Sequence, residues 1–222
     1  MFAGDMMADS VHQVYQFRVF VRGISPVIWR RLLFHDDQTL ADMHYALQIV
    51  FSWTDEFLHH FLLRGRVYAV SRAWGADHTH AAQDAPLQAL HLRLKERFVY
   101  EYNFFDWWQI EIRFEQCLSL DKTKQYPICI GGKHAGPLEH CGGAGAYLAL
   151  REEKYHPIHL LHRFQEIVAE AEDDTDCGEW IRDEFPDLAY WLTAHKFDRR
   201  RVNRRLIQFF AGELNLRQVV IG

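Results

Sequence analysis

Residues 14–51 read VYQFRVFVRGISPVIWRRLLFHDDQTLADMHYALQIVF, and two hydrophobic periods meet in them. From Val14 to Val21, Tyr15, Phe17, Val19 and Val21 alternate with Gln16, Arg18 and Phe20, the period of a half-buried strand with one lapse. Gly23 and Pro26 punctuate the chain before Val27–Phe34, a second β-rich run whose two arginines suit an edge or a solvent face. The two runs predict a hairpin-like pair. Thr39 then stands three residues before Asp42, and Leu40, Met43, Leu47, Val50 and Phe51 recur at three- and four-residue steps, which predicts a helix over 40–52. Thr39 and Asp42 read as helix-start chemistry rather than catalysis.

Working outward, His59–Leu63 and Val67–Val70 flank Arg64-Gly65-Arg66, a hairpin connection whose glycine can take a positive φ. Ser71–Pro86 is polar, rich in histidine, and reads as a long loop. Phe98–Tyr102 and the strictly alternating Ile110–Glu115 are strands separated by an aromatic turn, Asn103–Trp108. Tyr126–Ile130 is a short strand, and Gly131–Gly145 a glycine-rich loop. Beyond it the period turns helical at 146–154, 158–171, 179–195 (broken at Pro186) and 199–211. Strands first and helices later predict an α+β fold: an antiparallel sheet with helices packed mainly on one side and a helical C-terminal third. Trp29, Leu47, Phe61, Tyr102, Ile112 and Phe164 are the expected core contributors. The expected organisation is a single domain over 14–211, with a flexible N-terminus at 1–13 and a tail at 212–222.

The 222 residues are 49% apolar and 25% charged, which excludes a mainly disordered chain. No apolar run nears the roughly 20 residues of a bilayer span, and the first ten residues lack a basic signal-peptide start, so a cytoplasmic protein without a membrane partner is expected. A net charge of −5 argues against a surface wholly devoted to nucleic acid but leaves room for a local basic patch. One such patch is Arg200, Arg201, Arg204 and Arg205, on neighbouring positions of the last helix. It is a candidate phosphate-binding face. The alternative is pairing with the acidic segment 152–187.

Four cysteines without a CxxC pair read as free thiols, and 14 histidines show no HExxH or HxH spacing. Cys129, His134, His140 and Cys141, set among glycines, form the one grouping with zinc-ligand chemistry. The alternative is ordinary loop histidines and packed thiols, with no cofactor. Glu139, His140 and Cys141 offer a carboxylate, an imidazole and a thiol, but a nucleophile also needs a base within hydrogen-bond reach and an orienting group. Both the aromatic turn and the glycine-rich loop leave the sheet at strand ends, where binding residues tend to lie. Asp106, Trp108, Glu139 and Cys141, with His59 as neighbour, are therefore the candidate ligand-binding set; the structural alternative is that Asp106 and Glu139 hydrogen-bond loop amides. Adjacent Trp107 and Trp108 cannot both face inward on extended chain, so one is expected at the surface.

Several ordered motifs carry a resemblance. They are Gly23-Ile24-Ser25-Pro26-Val27-Ile28-Trp29-Arg30-Arg31-Leu32; Thr39-Leu40-Ala41-Asp42-Met43-His44 with Gln48, Trp53 and His59-His60-Phe61; Tyr100–Ile110; Pro127-Ile128-Cys129 with Pro137–Tyr147; and Phe197-Asp198 with Val202-Asn203-Arg204-Arg205-Leu206. Over Tyr15–Leu206 the chain resembles the Ri-plasmid open-reading-frame-three-like family, the insertion-element passenger or TnpR-labelled proteins. The resemblance implies an α+β fold and a mobile-element setting, and supplies no agreed activity. Departures fall at Asn103, Phe105, Ile110 and His140, where the family usually has Asp, Gly, His and an acidic residue. On these grounds the leading expectation is a non-enzymatic accessory or binding protein with a protein or nucleic-acid partner. The alternative is a metal-assisted or cysteine-dependent enzyme built on the aromatic turn and the glycine-rich loop.

Overall fold

The computed structural model describes residues 12–69, 79–154, 157–173 and 188–216. Eight strands, β1 (Gln13–Val21), β2 (Trp29–His35), β3 (His59–Leu63), β4 (Arg66–Ala69), β5 (Thr79–Ala81), β6 (Arg97–Tyr102), β7 (Trp108–Ser119) and β8 (Ile128–Lys133), form one sheet in the order β5-β4-β3-β6-β7-β1-β2-β8. Every neighbouring pair is antiparallel except β4 and β5. Helix α1 (Leu40–Phe51) follows β2, and α2 (Gly143–Lys154), α3 (Pro157–Asp173), a helical segment at 188–193 and α4 (Arg199–Phe210) follow the last strand. The expected α+β class, antiparallel sheet and helical C-terminal third describe the molecule.

Alternation gives the sheet two unlike faces. Phe17, Val19 and Val21 stand opposite Phe114, Ile112 and Ile110, which in turn adjoin Phe98, Tyr100 and Tyr102 through the Ile112↔Phe98, Ile110↔Tyr100 and Trp108↔Tyr102 registers. All of these residues are buried, and α1 lies among them with Leu40, Met43, Leu47, Ile49 and Val50. Thr39 starts α1 with a reciprocal cap: its Oγ1 accepts from the Asp42 amide at 3.1 Å, and Asp42 accepts from the Thr39 amide at 2.7 Å. Ser52 ends the helix at φ 61°.

Of the expected core, Leu47, Phe61, Tyr102 and Ile112 are buried. Phe164 is not: it stands 47% exposed with Ile158, Leu161 and Val168 along the outer side of α3. Trp29 is half-buried because its register against Phe20 puts it on the opposite, polar face. The two arginines of β2 likewise divide by alternation. Arg31 faces solvent, whereas Arg30 is buried and donates to the carbonyls of Val50, Trp29 and Lys133 at 3.0, 2.8 and 3.0 Å. Its guanidinium lies 4.0 Å from the Phe197 ring centroid, and burial pulls its pKa down to about 9. The cation thus closes the C-terminal end of α1. Helix α4 docks on the edge strand β8 through Asn203, which accepts from the Cys129 amide at 2.7 Å and donates to the Cys129 carbonyl at 2.9 Å, filling ladder positions that an edge leaves open. Leu216, in the expected tail, is buried in the core.

Candidate functional site

The aromatic turn is built on Asn103, whose left-handed φ of 51° and side-chain oxygen, accepting the Phe105 and Asp106 amides at 3.2 and 3.4 Å, reverse β6 into β7. That role needs an acceptor, which Asn supplies as well as Asp does. Phe105 at the tip is 93% exposed, Trp107 is 53% exposed and Trp108 is fully buried. Ile110, the third departure, is a core residue. The Trp108 indole donates to the Glu139 carbonyl at 3.1 Å, and Asp106 accepts from the Gly142 amide at 3.0 Å, so turn and glycine-rich loop meet. The buried Glu139 carboxylate accepts from the Thr54 amide and hydroxyl at 2.9 and 2.7 Å and from the Tyr102 hydroxyl. Burial, with Asp106 nearby, pushes the half-buried Cys141 thiol up to about 11. Asp106, Trp108, Glu139 and Cys141 therefore stand at one junction with their polar atoms turned to backbone amides and carbonyls and to the Thr54 and Tyr102 hydroxyls. His59 turns elsewhere and stacks on His44, ring centroids 3.6 Å apart.

The structure does not gather Cys129, His134, His140 and Cys141. Cys129 is buried and donates to the Gly131 carbonyl at 3.3 Å, while the Cys141 sulfur lies near Gly143. His140 is exposed beside Glu56, 3.5 Å away, and His134 lines a cavity of about 240 Å³ with Tyr147, Arg151 and His195. Among the described residues the groups with three ligand atoms mutually within 4.8 Å are His44–Asp55–His59 and His12–His35–Asp36. Arg200, Arg201 and Arg204 are exposed on α4 at the β8 edge, and Arg205 is half-buried, its pKa lowered by burial and then by Arg201. Of the acidic segment that could face them, residues 155–156 and 174–187 lie outside the described residues.

The other face of the sheet carries charge in register. Arg31 of β2 stands opposite Arg18 of β1, Arg18 opposite Arg113 of β7, and Arg113 opposite Arg97 of β6, a row of arginines across four adjacent strands. At about 4.7–4.9 Å per strand the row spans roughly 14 Å. Its ends are paired: Arg31 grips Glu115 bidentately at 2.6 and 3.0 Å, and Arg97 lies 3.1 Å from Glu111, which also accepts from Arg22 at 2.9 Å. The Arg31 hydrogen bond holds the Glu115 carboxyl below its usual range, with Gln16 and Arg18 adding to it. The middle of the row differs, for the Nε atoms of Arg18 and Arg113 are covered and make no hydrogen bond. Beside the row lies Trp29, its ring 5.2 Å from the Arg18 guanidinium carbon and 5.7 Å from that of Arg31, with Phe20 opposite. Arg22, Arg31 and Arg97 side chains keep 41, 35 and 59% of their exposure, so the face is open to solvent. Sequence periodicity marks each of these positions as polar, but their alignment depends on cross-strand register, which no single strand encodes.

Fold and sites together define an α+β protein whose sheet is closed by a helix-covered core on one face and carries charged, solvent-facing residues on the other. The chain belongs to the Plasmid pRiA4b ORF-3-like protein family, whose model matches residues 13–204. It is similar to the uncharacterized protein y4hQ of Sinorhizobium fredii (strain NBRC 101917 / NGR234), 26% identical over 153 residues that span 68% of this chain and 78% of that one. Among solved structures it is similar to the protein of unknown function MM3350 from Methanosarcina mazei Go1, with a TM-score of 0.61 and 27% identity, over 86% of this chain and 98% of that one. Among the described residues no helix is long and apolar enough to cross a membrane.

Proposed function

We propose that the protein is a non-enzymatic binding protein that holds single-stranded nucleic acid on the open face of its sheet, in the accessory role that its family's mobile-element setting implies. The observation that carries this reading is the arginine row Arg31-Arg18-Arg113-Arg97 with Trp29 beside it. Like charges directly opposite one another destabilise a sheet, so such a row opposes folding and favours an anionic ligand. Guanidinium groups suit phosphate oxygens, and indole and guanidinium planes accept stacked bases of any sequence. An open sheet face suits a flexible strand better than a duplex, whose grooves call for a protruding helix or ribbon. The enzyme alternative has less support: both Glu139 oxygens are already engaged, and the Cys141 thiol is held in its protonated form.

Fluorescence anisotropy with a labelled oligothymidylate tests the proposal. Binding should weaken steeply from 50 to 200 mM salt, with a log–log slope of about −0.7 per phosphate contacted. Arg18→Gln with Arg113→Gln should flatten that slope by about 1.4. Absence of binding at 50 mM salt, or an unchanged slope in the double variant, would overturn it.

A further inference from the structure

On the helix-covered face, away from the arginine row, we infer that His44, Asp55 and His59 form a binding site for one divalent transition-metal ion of the zinc class. His44 comes from α1, His59 opens β3, and Asp55 lies between them at φ 60°, its amide donating to Gln48 Oε1 at 3.1 Å. One ligand atom from each residue lies within 4.8 Å of the others. Ligands at about 2.0–2.1 Å around a tetrahedral zinc ion are some 3.4 Å apart, so shifts of about an ångström, with His44 and Asp55 parting slightly, bring the set to coordination distance.

The Nε2 atom of His44 is the second observation. His44 is fully buried, and its Nε2 lies 2.9 Å from Asp55 Oδ1 yet makes no aligned hydrogen bond. The contact is that of a buried imidazole–carboxylate pair, and it places the nitrogen and the oxygen within reach of a common third atom. The opposite nitrogen, Nδ1, is 2.8 Å from the Tyr100 hydroxyl, which Gln48 also contacts at 2.8 Å. In the ligated form Nδ1 carries the proton and donates it to Tyr100, the outer-shell bond that fixes a metal-bound imidazole. The His59 ring lies 11° from parallel to His44, and ligation tilts the two planes toward the ion. The Asp55 side chain is 31% exposed, which gives the ion a route in and leaves room for a water as fourth ligand.

The test needs no nucleic acid, so it stands or falls apart from the proposed function. Metal-free full-length protein without an affinity tag is titrated with Zn²⁺ against a chromophoric chelator, and with Co²⁺ by visible absorption. One equivalent should bind, with the absorption bands of four-coordinate cobalt. Asp55→Asn, chosen because Asn tolerates a left-handed φ, and His59→Gln should each weaken zinc by about 100-fold. His140→Gln and His35→Gln should leave it unchanged. Failure to bind one equivalent would overturn the assignment, as would binding that survives Asp55→Asn or that is lost only in His35→Gln. If His59→Gln does not fold by circular dichroism, Asp55→Asn decides.

Discussion

Gly143 and Gly145 sit two residues apart in one motif, and the structure assigns them opposite sensitivities. Gly143 is buried at φ +83°, and a Cβ there would overlap the carbonyl oxygen of Asp106 and lie 3.2 Å from its carbon. Gly145 is exposed in α2, without a positive φ, and its Cβ would meet nothing within 4 Å. For Gly143→Ala, a left-handed φ costs about 1–2 kcal/mol. Relieving the overlap moves the loop off the aromatic turn and sacrifices the 3.0 Å bond from the Gly142 amide to Asp106, about 1 kcal/mol more. The sum is about 3 kcal/mol of destabilisation. Gly145→Ala should instead stabilise by roughly 0.5 kcal/mol, because alanine restricts the unfolded chain and suits a helix. Urea unfolding followed by tryptophan fluorescence measures both. Gly143→Ala within about 0.5 kcal/mol of the parent, or equal losses in the two variants, would refute the close approach of turn and loop.

Three further outcomes follow from the geometry. Asn203→Ala removes both bonds to the Cys129 backbone and should cost about 2 kcal/mol, read as a lowered melting temperature, with α4 loosened from β8 by hydrogen exchange. Cys141, held at about 11, should be alkylated by iodoacetamide slowly at pH 8, where roughly one thiol in a thousand is ionised, and about tenfold faster per pH unit up to pH 10; peptide mass spectrometry gives the rate. Because Glu115 is held below its usual pKa by Arg31, that pair stabilises the fold above the unfolded carboxyl value and the contribution fades as pH falls through the folded value. Arg31→Gln should therefore cost about 0.5 kcal/mol in urea at pH 7, a figure reduced for partial exposure, and progressively less as the pH is lowered below the ordinary carboxylate range.

How far the sequence discloses this molecule depends on the range of the interaction. Local periodicity gives β1 and α1 nearly to the residue, because each presents one apolar set to one core, and it finds only the alternating middle of β7, which runs on from Trp108 to Ser119. It misplaces Trp29, since an aromatic residue among Ile28 and Leu32 reads as core until alternation from Phe17 and Leu32 is carried along the strand and sets Trp29 outward. Phe164 fails for a different reason: α3 is amphipathic, but amphipathicity does not say whether a helix is covered. The junction of Asp106, Trp108, Glu139 and Cys141 was approachable from motif spacing, whereas Thr54 and Tyr102, which engage Glu139, come from distant segments. The arginine row and the His44–Asp55–His59 set are tertiary alignments. Histidines fifteen residues apart on a helix and a strand carry no spacing signal, and only the packing of α1 against β3 brings their rings into a stack.

Ultraviolet cross-linking of the bound oligothymidylate, mapped by peptide mass spectrometry, locates the ligand proposed for the open sheet face. Cross-links are expected on the strands that carry the row, foremost at Trp29 and Phe20, and should be lost when Arg18 and Arg113 are replaced by Gln. Cross-links confined to α4 around Arg200, Arg201 and Arg204, or a pattern untouched by the double substitution, would contradict it.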